Sequence, residues 1–258
     1  MMEFLIGDYA LLALAALFAG LVDAVVGGGG LIQLPALFSV LPQTVPASLF
    51  GTNKFSAIWG TLFAARTYAR KISVEWGTAI PASGAALLFS FAGAWLVTAF
   101  PPDLIRKTLP FLLLAVAIYV AIRKDFGASH VPRFSGARET RMALVTGAGI
   151  GFYDGFFGPG TGSFLLFLFV RFFGFDFLGA SAVAKIVNVA CNFAALIWFG
   201  YAGHVLWQLG LLMAICNICG AMIGTRVALK EGSVFIRKAF LVVVGALILK
   251  TARDAFWS

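Results

Sequence analysis

Long runs without a charged residue alternate with short charged segments along the whole chain. Three of the uncharged runs cover residues 24–53, 76–102 and 186–225. A helix that crosses a membrane needs about 20 consecutive apolar residues. The run 186–225 is therefore long enough for two crossings, and its segment 200–204 predicts the turn between them. The pattern predicts an all-α polytopic membrane protein.

The composition supports the same fold class, because 61% of the 258 residues are hydrophobic and only 12% are charged. Soluble domains average about 45–50% apolar and about 25% charged residues. In a soluble protein, the excess of 19 Lys and Arg over 11 Asp and Glu would suggest nucleic-acid binding. In a membrane protein it fits cytoplasmic loops, so we expect the lipid bilayer as a partner and no nucleic acid.

The chain matches itself when it is shifted by 131 residues. At this shift the scarce charged and aromatic positions coincide: Asp23 with Asp154, Lys54 with Lys185, and Trp76 with Trp207. We interpret the chain as a single membrane domain, 1–258, made of two copies of one unit. Repeat one covers 9–122, a polar cytoplasmic linker covers 123–141, and repeat two covers 142–253.

Each repeat begins with an apolar segment, a glycine-rich break and a short apolar segment. These parts are 9–26, Gly27–Gly30 and 31–41 in repeat one, and 142–157, Gly158–Gly160 and 162–172 in repeat two. Eleven helical residues rise about 16 Å, which is about half of the hydrocarbon core. Each short segment therefore predicts a hairpin that dips to the midplane and returns. Three full spans follow in each repeat: 47–66, 77–100 and 108–123, and then 178–199, 205–229 and 236–252.

A hairpin plus three spans reverses the sidedness, so the two repeats are expected to be inverted. With both termini periplasmic, the predicted cytoplasmic segments carry 13 Lys and Arg and the outer segments carry 4. The alternative, in which each repeat crosses four times and the N-terminus lies inside, gives 10 inside and 7 outside. The positive-inside rule favours the inverted arrangement.

Broken helices in inverted repeats are typical of secondary transporters, whose binding sites lie near the bilayer midplane. Helix N-termini at Gly27–Gly30 and at Gly158–Gly162 would offer backbone N–H groups and positive dipole ends to an anion. Close helix packing is the alternative role for such glycines. The expected site combines these breaks with polar side chains: Gly27, Gly28, Gly29, Gly30, Gly158, Gly160, Thr161 and Gly162, together with Thr52, Asn53, Lys54, Lys185, Asn188 and Asn192.

Intramembrane charges are costly and usually face a partner or a wet cavity. Lys54 and Lys185 could instead snorkel from a helix end. Asp23 and Asp154 could pair with a lysine, cap a broken helix or carry a proton, and Tyr153 beside Asp154 offers a proton relay. No metal-ligand cluster is present, and we expect no cofactor.

The motifs Asp23-Ala-Val-Val-Gly-Gly-Gly-Gly-Leu-Ile-Gln-Leu-Pro35 and Pro46-Ala-Ser-Leu-Phe-Gly-Thr-Asn-Lys54 resemble the TauE/SafE family of sulfite exporters. Two segments resemble the pattern in the second half of that family's sequences: Gly151-Phe-Tyr-Asp-Gly-Phe-Phe-Gly-Pro-Gly-Thr-Gly-Ser163 and Ala184-Lys-Ile-Val-Asn188. The resemblance covers essentially the whole chain and is strongest to the YfcA-like bacterial branch. It implies a permease of the bacterial inner membrane that exports sulfur-containing anions such as sulfite or sulfonates.

We therefore expect a non-enzymatic secondary transporter that exports a small anion and is coupled to protons. An uncoupled anion channel would use the same site. An intramembrane aspartyl protease is a further alternative because Tyr153-Asp154 is half of that signature, although Gly-x-Gly-Asp does not precede Asp23. A passive scaffold would not need intramembrane Asp and Lys. The sequence leaves open whether the protein forms a homodimer.

Overall fold

The computed structural model describes residues 6–105, 107–108, 111 and 130–256, and of 232–256 only the backbone. Within these ranges the regular elements are all helical. They are α1 (Ile6–Val26), α2 (Gly30–Val40), α3 (Pro46–Lys71), α4 (Trp76–Ala99), α5 (Gly136–Phe156), α6 (Thr161–Leu168), α7 (Phe177–Tyr201) and α8 (Trp207–Phe256), with a π-helical turn (Phe169–Phe173) that continues α6. The predicted span 108–123 lies almost wholly outside the described residues.

Four helices in the described part of the chain are long and apolar enough to cross a membrane: α1, α4, α7 and the segment Trp207–Glu231 of α8. Their apolar side chains also point outward, as Ile80 (65% exposed) and Leu88 (67% exposed) do on α4. Such exposure suits contact with lipid. α2 and the segment Thr161–Phe173 are apolar but too short to cross. The protein is therefore a multi-pass membrane protein.

α3 is as long as a membrane span but less apolar than the four spanning helices. Its buried face carries a row of polar side chains: Thr52, Asn53, Lys54, Ser56 and Thr61. The helix contacts α7 and α8 and also touches α1 and α2. The face of α3 that carries these residues packs against the other helices, so its polar groups are turned toward protein and away from lipid.

The helix contacts recur at the same shift of 131 residues as the sequence. α1 packs along α8 as α5 packs along α4, and α3 contacts α8 as α7 contacts α4. A Cβ at Gly20 would lie 2.1 Å from Asn217 O, and one at Gly151 would lie 2.6 Å from the backbone of Ala86. Only glycine allows the backbones this close approach.

Both glycine-rich breaks are present where the sequence predicts them. α1 ends at Val26 and α2 begins at Gly30, while α5 ends at Phe156 and α6 begins at Thr161. Four glycines in the breaks have φ between +79° and +88°, a region that favours glycine: Gly27, Gly28, Gly158 and Gly160. A Cβ at Gly29 would lie 2.6 Å from Ala19 O of α1, so the first break turns the chain back beside α1.

Two predicted boundaries differ in the structure. α5 begins at Gly136, six residues before the predicted start at 142, so the end of the predicted linker is helical. The predicted break between 229 and 236 is wrong, because α8 runs without interruption from Trp207 to Phe256. That segment contains no proline, and its single Gly232 costs only about 1 kcal/mol within a helix.

The connecting segments meet at two separate places. Val131 N donates to Gly174 O at 2.8 Å, which joins the end of the predicted linker to the segment before α7. Ser48 Oγ lies 3.1 Å from His204 Nδ1, which joins the start of α3 to the turn between α7 and α8. These contacts fix which connections share a side of the bundle.

Candidate functional site

A buried ion pair links α3 to α5. Lys54 Nζ lies 2.5 Å from Asp154 Oδ2, and their side chains are only 3% and 2% exposed. α3 places Lys54 on its polar inner face, and α5 presents Asp154 in its last turn, just before the second break. Lys54 therefore ends on a carboxylate inside the bundle and does not snorkel to a helix end.

A second ion pair links α7 to α1. Lys185 Nζ lies 2.9 Å from Asp23 Oδ2 and also donates to the backbone oxygen of Asp23. Thr61 Oγ1 and Gly29 N donate to the same carboxylate, at 3.3 Å and 3.5 Å. The Asp23 side chain is 14% exposed, so it is less buried and has more donors than Asp154.

The two ion pairs cross between the halves of the chain. Asp23 precedes the first break but pairs with Lys185, whereas Asp154 precedes the second break but pairs with Lys54. Ion pairing was one of the roles that the sequence left open for the two aspartates. The structure brings together all four intramembrane charges of the repeat motif.

The two glycine-rich breaks touch each other beside these pairs. A Cβ at Gly27 would lie 2.3 Å from Gly162 C, and one at Gly28 would lie 3.9 Å from Gly160 Cα. α2 and α6 therefore begin at one place, with the positive ends of their dipoles close together. Among the described residues no acceptor contacts Gly28 N or Gly160 N.

These groups surround a small cavity with a free space of about 30 Å³. That space holds about two water molecules. Its lining includes most of the predicted site: Asp23, Gly28, Gly29, Gly30, Asn53, Lys54, Asp154, Gly158, Gly160, Thr161, Gly162, Asn188 and Asn192. Its size suits a small ion, and a bulky organic anion would require the helices to move apart.

A family model described as "Sulfite exporter TauE/SafE" matches residues 12–251 of the chain. The chain belongs to the TauE/SafE family. A Sinorhizobium protein called "Probable membrane transporter protein ORF9" is 36% identical over 245 residues, which cover 95% of this chain and 92% of that protein. "Probable membrane transporter protein YfcA" of Escherichia coli K12 is 33% identical, with 93% and 88% covered. No solved structure gives a significant match.

Membership of the TauE/SafE family makes the protein a membrane transporter. A relative from Haemophilus influenzae, also named as a probable membrane transporter, is 33% identical over 96% of both chains. Alignment over nearly the whole length means that the site described above lies inside the region shared with these relatives.

Among the described residues, no group of three or more His, Cys, Asp or Glu is placed to hold a metal ion.

Four predicted site residues of this TauE/SafE protein do not line the cavity: Gly27, Thr52, Tyr153 and Lys185. Thr52 Oγ1 donates to Ser48 O and accepts from Leu206 N at 3.0 Å, so it holds the turn before α8. Tyr153 Oη donates to Pro159 O at 2.5 Å and thereby ties α5 to the second break. Lys185 binds the carboxylate of Asp23, which lines the cavity. Gly27 packs against Gly162.

Four further residues line the cavity of this TauE/SafE protein: Gln33, Ala57, Thr61 and Asn217. Ala57 and Thr61 follow Lys54 by three and seven residues, which places them on the same helix face. Helical spacing from Lys54 could therefore have found them. Gln33 follows the first break by one turn, and Asn217 is one of few polar residues in the run 186–225. Their polarity in apolar helices was the available signal.

The cavity of this TauE/SafE protein is polar but formally neutral, because two lysines compensate two aspartates. Two buried side-chain atoms around it lack a hydrogen-bond partner in the described part of the chain, namely Gln33 Nε2 and Asn53 Oδ1. Leaving a buried polar atom unpaired is unfavourable by about 1–3 kcal/mol. Such atoms are expected where a ligand or water completes the site.

Proposed function

We propose that the protein is a secondary transporter that exports a small oxyanion, with sulfite or an organosulfonate as substrate. The observation that carries this proposal is the meeting of the two breaks, where α2 and α6 direct their N-termini into one buried polar cavity. Free N–H groups and positive dipole ends at a helix start bind anions. The family's description as sulfite exporters supports a sulfur oxyanion.

We propose an inverted-repeat topology in the bacterial inner membrane, with the linker 123–141 cytoplasmic and the N-terminus periplasmic. α8 starts beside the turn 200–204 on the periplasmic side and runs unbroken to Phe256, so it carries the C-terminal end to the cytoplasmic side, in contrast to the periplasmic C-terminus expected from the sequence. The hydrogen bond from Val131 N to Gly174 O supports it, because inverted repeats place both segments on one side. The contact between Ser48 and His204 supports it in the same way for the periplasmic side. The topology with four crossings per repeat would separate both pairs of segments by the membrane.

The ion pairs suggest how a proton is coupled to the anion. Lys54 has one ammonium group, for which the carboxylate of Asp154 and a bound oxyanion compete. Protonation of Asp154 releases Lys54 to the anion, and binding of the anion in turn favours the protonated carboxyl group. The proton and the anion therefore load together. Sulfite with one proton keeps one negative charge, so the inside-negative membrane potential drives the loaded pair outward. Asp23 also lines the cavity but its partner Lys185 does not, so the Asp154–Lys54 pair is the one placed for this exchange.

Transport into proteoliposomes tests this function. We expect saturable uptake of sulfite that accelerates when the outside is acid relative to the lumen, and we expect a protonophore to abolish this acceleration. Empty liposomes and a Lys54→Met/Asp154→Asn variant serve as controls. Flux that is indifferent to the pH gradient and does not saturate would identify an uncoupled channel, and absence of anion flux would refute the proposal.

The protease alternative has no support in the geometry of the site. An aspartyl protease needs two carboxylates that share one proton. Here Asp23 and Asp154 each contact a different lysine. Two carboxylates that each bind their own lysine are not placed to share one proton.

A further inference from the structure

The side chain of Gln33 is the most buried polar group of the cavity that carries an unpaired donor. Gln33 lies in the first turn of α2, just after the first break, and is 1% exposed. Its Nε2 atom has no hydrogen-bond partner among the described residues. The inference below rests on the proposed function of this cavity.

The neighbouring Asn217 determines which way the Gln33 amide points. Asn217 Nδ2 donates to Ala16 O at 3.2 Å and to Gln33 Oε1 at 3.2 Å. A backbone carbonyl oxygen only accepts hydrogen bonds, so the Asn217 atom between these two groups must be its amino nitrogen. The Gln33 atom that it contacts is therefore the oxygen. The Gln33 amino group therefore points away from Asn217, and its residue lines the cavity.

Two glycines hold Asn217 in this orientation. A Cβ at Gly20 would lie 2.1 Å from Asn217 O, and one at Gly60 would lie 2.1 Å from Asn217 Oδ1. Asn217 thus sits between α1 and α3, in a space that exists because residues 20 and 60 are glycines. The orientation of its amide is set by packing and by a backbone acceptor, before any ligand arrives.

We propose that Gln33 Nε2 donates a hydrogen bond to an oxygen of the transported oxyanion and that Asn217 is the positioning residue that aims it. The donor stands one turn from Gly30, at the N-terminus of α2, so the side-chain and backbone donors converge on one ligand. An oxyanion supplies the acceptor that Gln33 Nε2 lacks among the described residues. Gln33 thereby determines affinity for ligands with an oxygen acceptor at that point.

The variant Gln33→Met removes the amide while keeping the length of the side chain. The substitution removes the unpaired Gln33 Nε2 and also takes one of the two acceptors of Asn217 Nδ2, which keeps Ala16 O, so one unpaired N–H replaces another. We expect the ligand-free melting temperature to stay near that of the wild type. We expect affinity for sulfite, measured by calorimetric titration of the purified protein, to fall at least about tenfold.

Ser83→Ala is the matched control, because Ser83 Oγ is also buried and without a partner among the described residues but lies outside the cavity. Its sulfite affinity should equal that of the wild type. If Gln33→Met does not fold, Gln33→Glu decides: it keeps the bond from Asn217 and places a carboxylate oxygen in the cavity. Sulfite binding should then be lost with the fold retained.

The outcomes separate this inference from the proposed function. If the wild type binds sulfite or methanesulfonate and the Gln33 variants lose less than about tenfold in affinity, the role of Gln33 is wrong and the transported class stands. A melting temperature that falls with Gln33→Met shows a structural role and also overturns the inference. If the wild type binds neither probe, the proposed function fails and the inference with it.

The positioning role of Asn217 has its own test. Asn217→Leu should weaken sulfite binding in the wild-type background but cause no further loss in the Gln33→Met background, because it acts through Gln33. Equal losses in both backgrounds, or no loss in either, would show that Asn217 does not aim the amide.

Discussion

Lys54 of α3 pairs with Asp154 of α5, 100 residues away in the sequence. Asp23, which lies in the same half of the chain as Lys54, pairs with Lys185. Both partners of the Lys54–Asp154 pair are almost completely buried. In the described part of the chain, the Asp154 carboxylate is the one group to which Lys54 Nζ donates a hydrogen bond. The charge of Lys54 is therefore compensated only when the two halves are assembled.

Replacing Asp154 by Asn should destabilise the protein strongly. The change leaves the buried Lys54 ammonium without a carboxylate, and removing one partner of a buried pair costs about 3–5 kcal/mol. The double variant Asp154→Asn/Lys54→Met should recover much of this loss. The measurement is the melting temperature of each purified variant in the same detergent.

Asp23→Asn is the comparison for this prediction. Its loss of stability should be smaller, because Lys185 keeps the backbone oxygen of residue 23 as an acceptor and the site is less buried. If Asp154→Asn melts like the wild type, or if Lys54→Met adds to the damage, the pair does not hold α3 and α5 together.

The sequence is enough to single out the two breaks and the four intramembrane charges as candidates for the site, because glycine runs and charges are rare in apolar helices and have few physical explanations. It does not predict the pairing of the charges, since either lysine could serve either aspartate until the helices are assembled. It also does not separate Thr52, which holds a turn, from Thr61, which lines the cavity. Hydroxyl groups bond equally well to backbone and to side chains, so their surroundings decide their role.

Two glycines of the first break should respond differently to Ala. Gly27→Ala combines a φ of +79° with a Cβ 2.3 Å from Gly162 C, so we expect a loss of more than about 2 kcal/mol in stability. Gly30 has an ordinary φ, and its Cβ would come no closer than 3.4 Å to Pro159 Cα. Gly30→Ala should fold normally but slow sulfite transport, because the methyl group enters the cavity.

Melting temperature and proteoliposome flux together check this contrast. Gly84→Ala is the control, because nothing lies within 4 Å of a Cβ at that position. Wild-type flux in Gly30→Ala would mean that the first turn of α2 does not line the transport path.

Tyr153→Phe should leave proton coupling intact. The Tyr153 hydroxyl donates to Pro159 O, so it stabilises the second break and is not bonded to the Asp154 carboxylate. We expect a loss of about 1 kcal/mol in stability from the missing hydrogen bond. The response of sulfite flux to a pH gradient should equal that of the wild type, and a lost response would restore Tyr153 as a proton relay.

The proposed topology predicts which exposed positions a membrane-impermeant thiol reagent reaches from outside the cell. In a background without the three native cysteines, Gln43→Cys should react in intact cells. Ser135→Cys should react only after permeabilisation. Both positions are exposed in the structure. Reaction of Ser135→Cys in intact cells would reverse the assignment of the linker to the cytoplasm.

The crossed ion pairs also bear on how such a chain could have arisen. A polypeptide of half this length would carry one aspartate and one lysine of the motif within its apolar helices, and with the contacts seen here these two do not meet each other. Two copies of it, docked as the halves are docked now, would neutralise all four charges at once. An ancestral half-length gene product would thus be selected to associate with itself, and fusion of duplicated genes would make that association permanent.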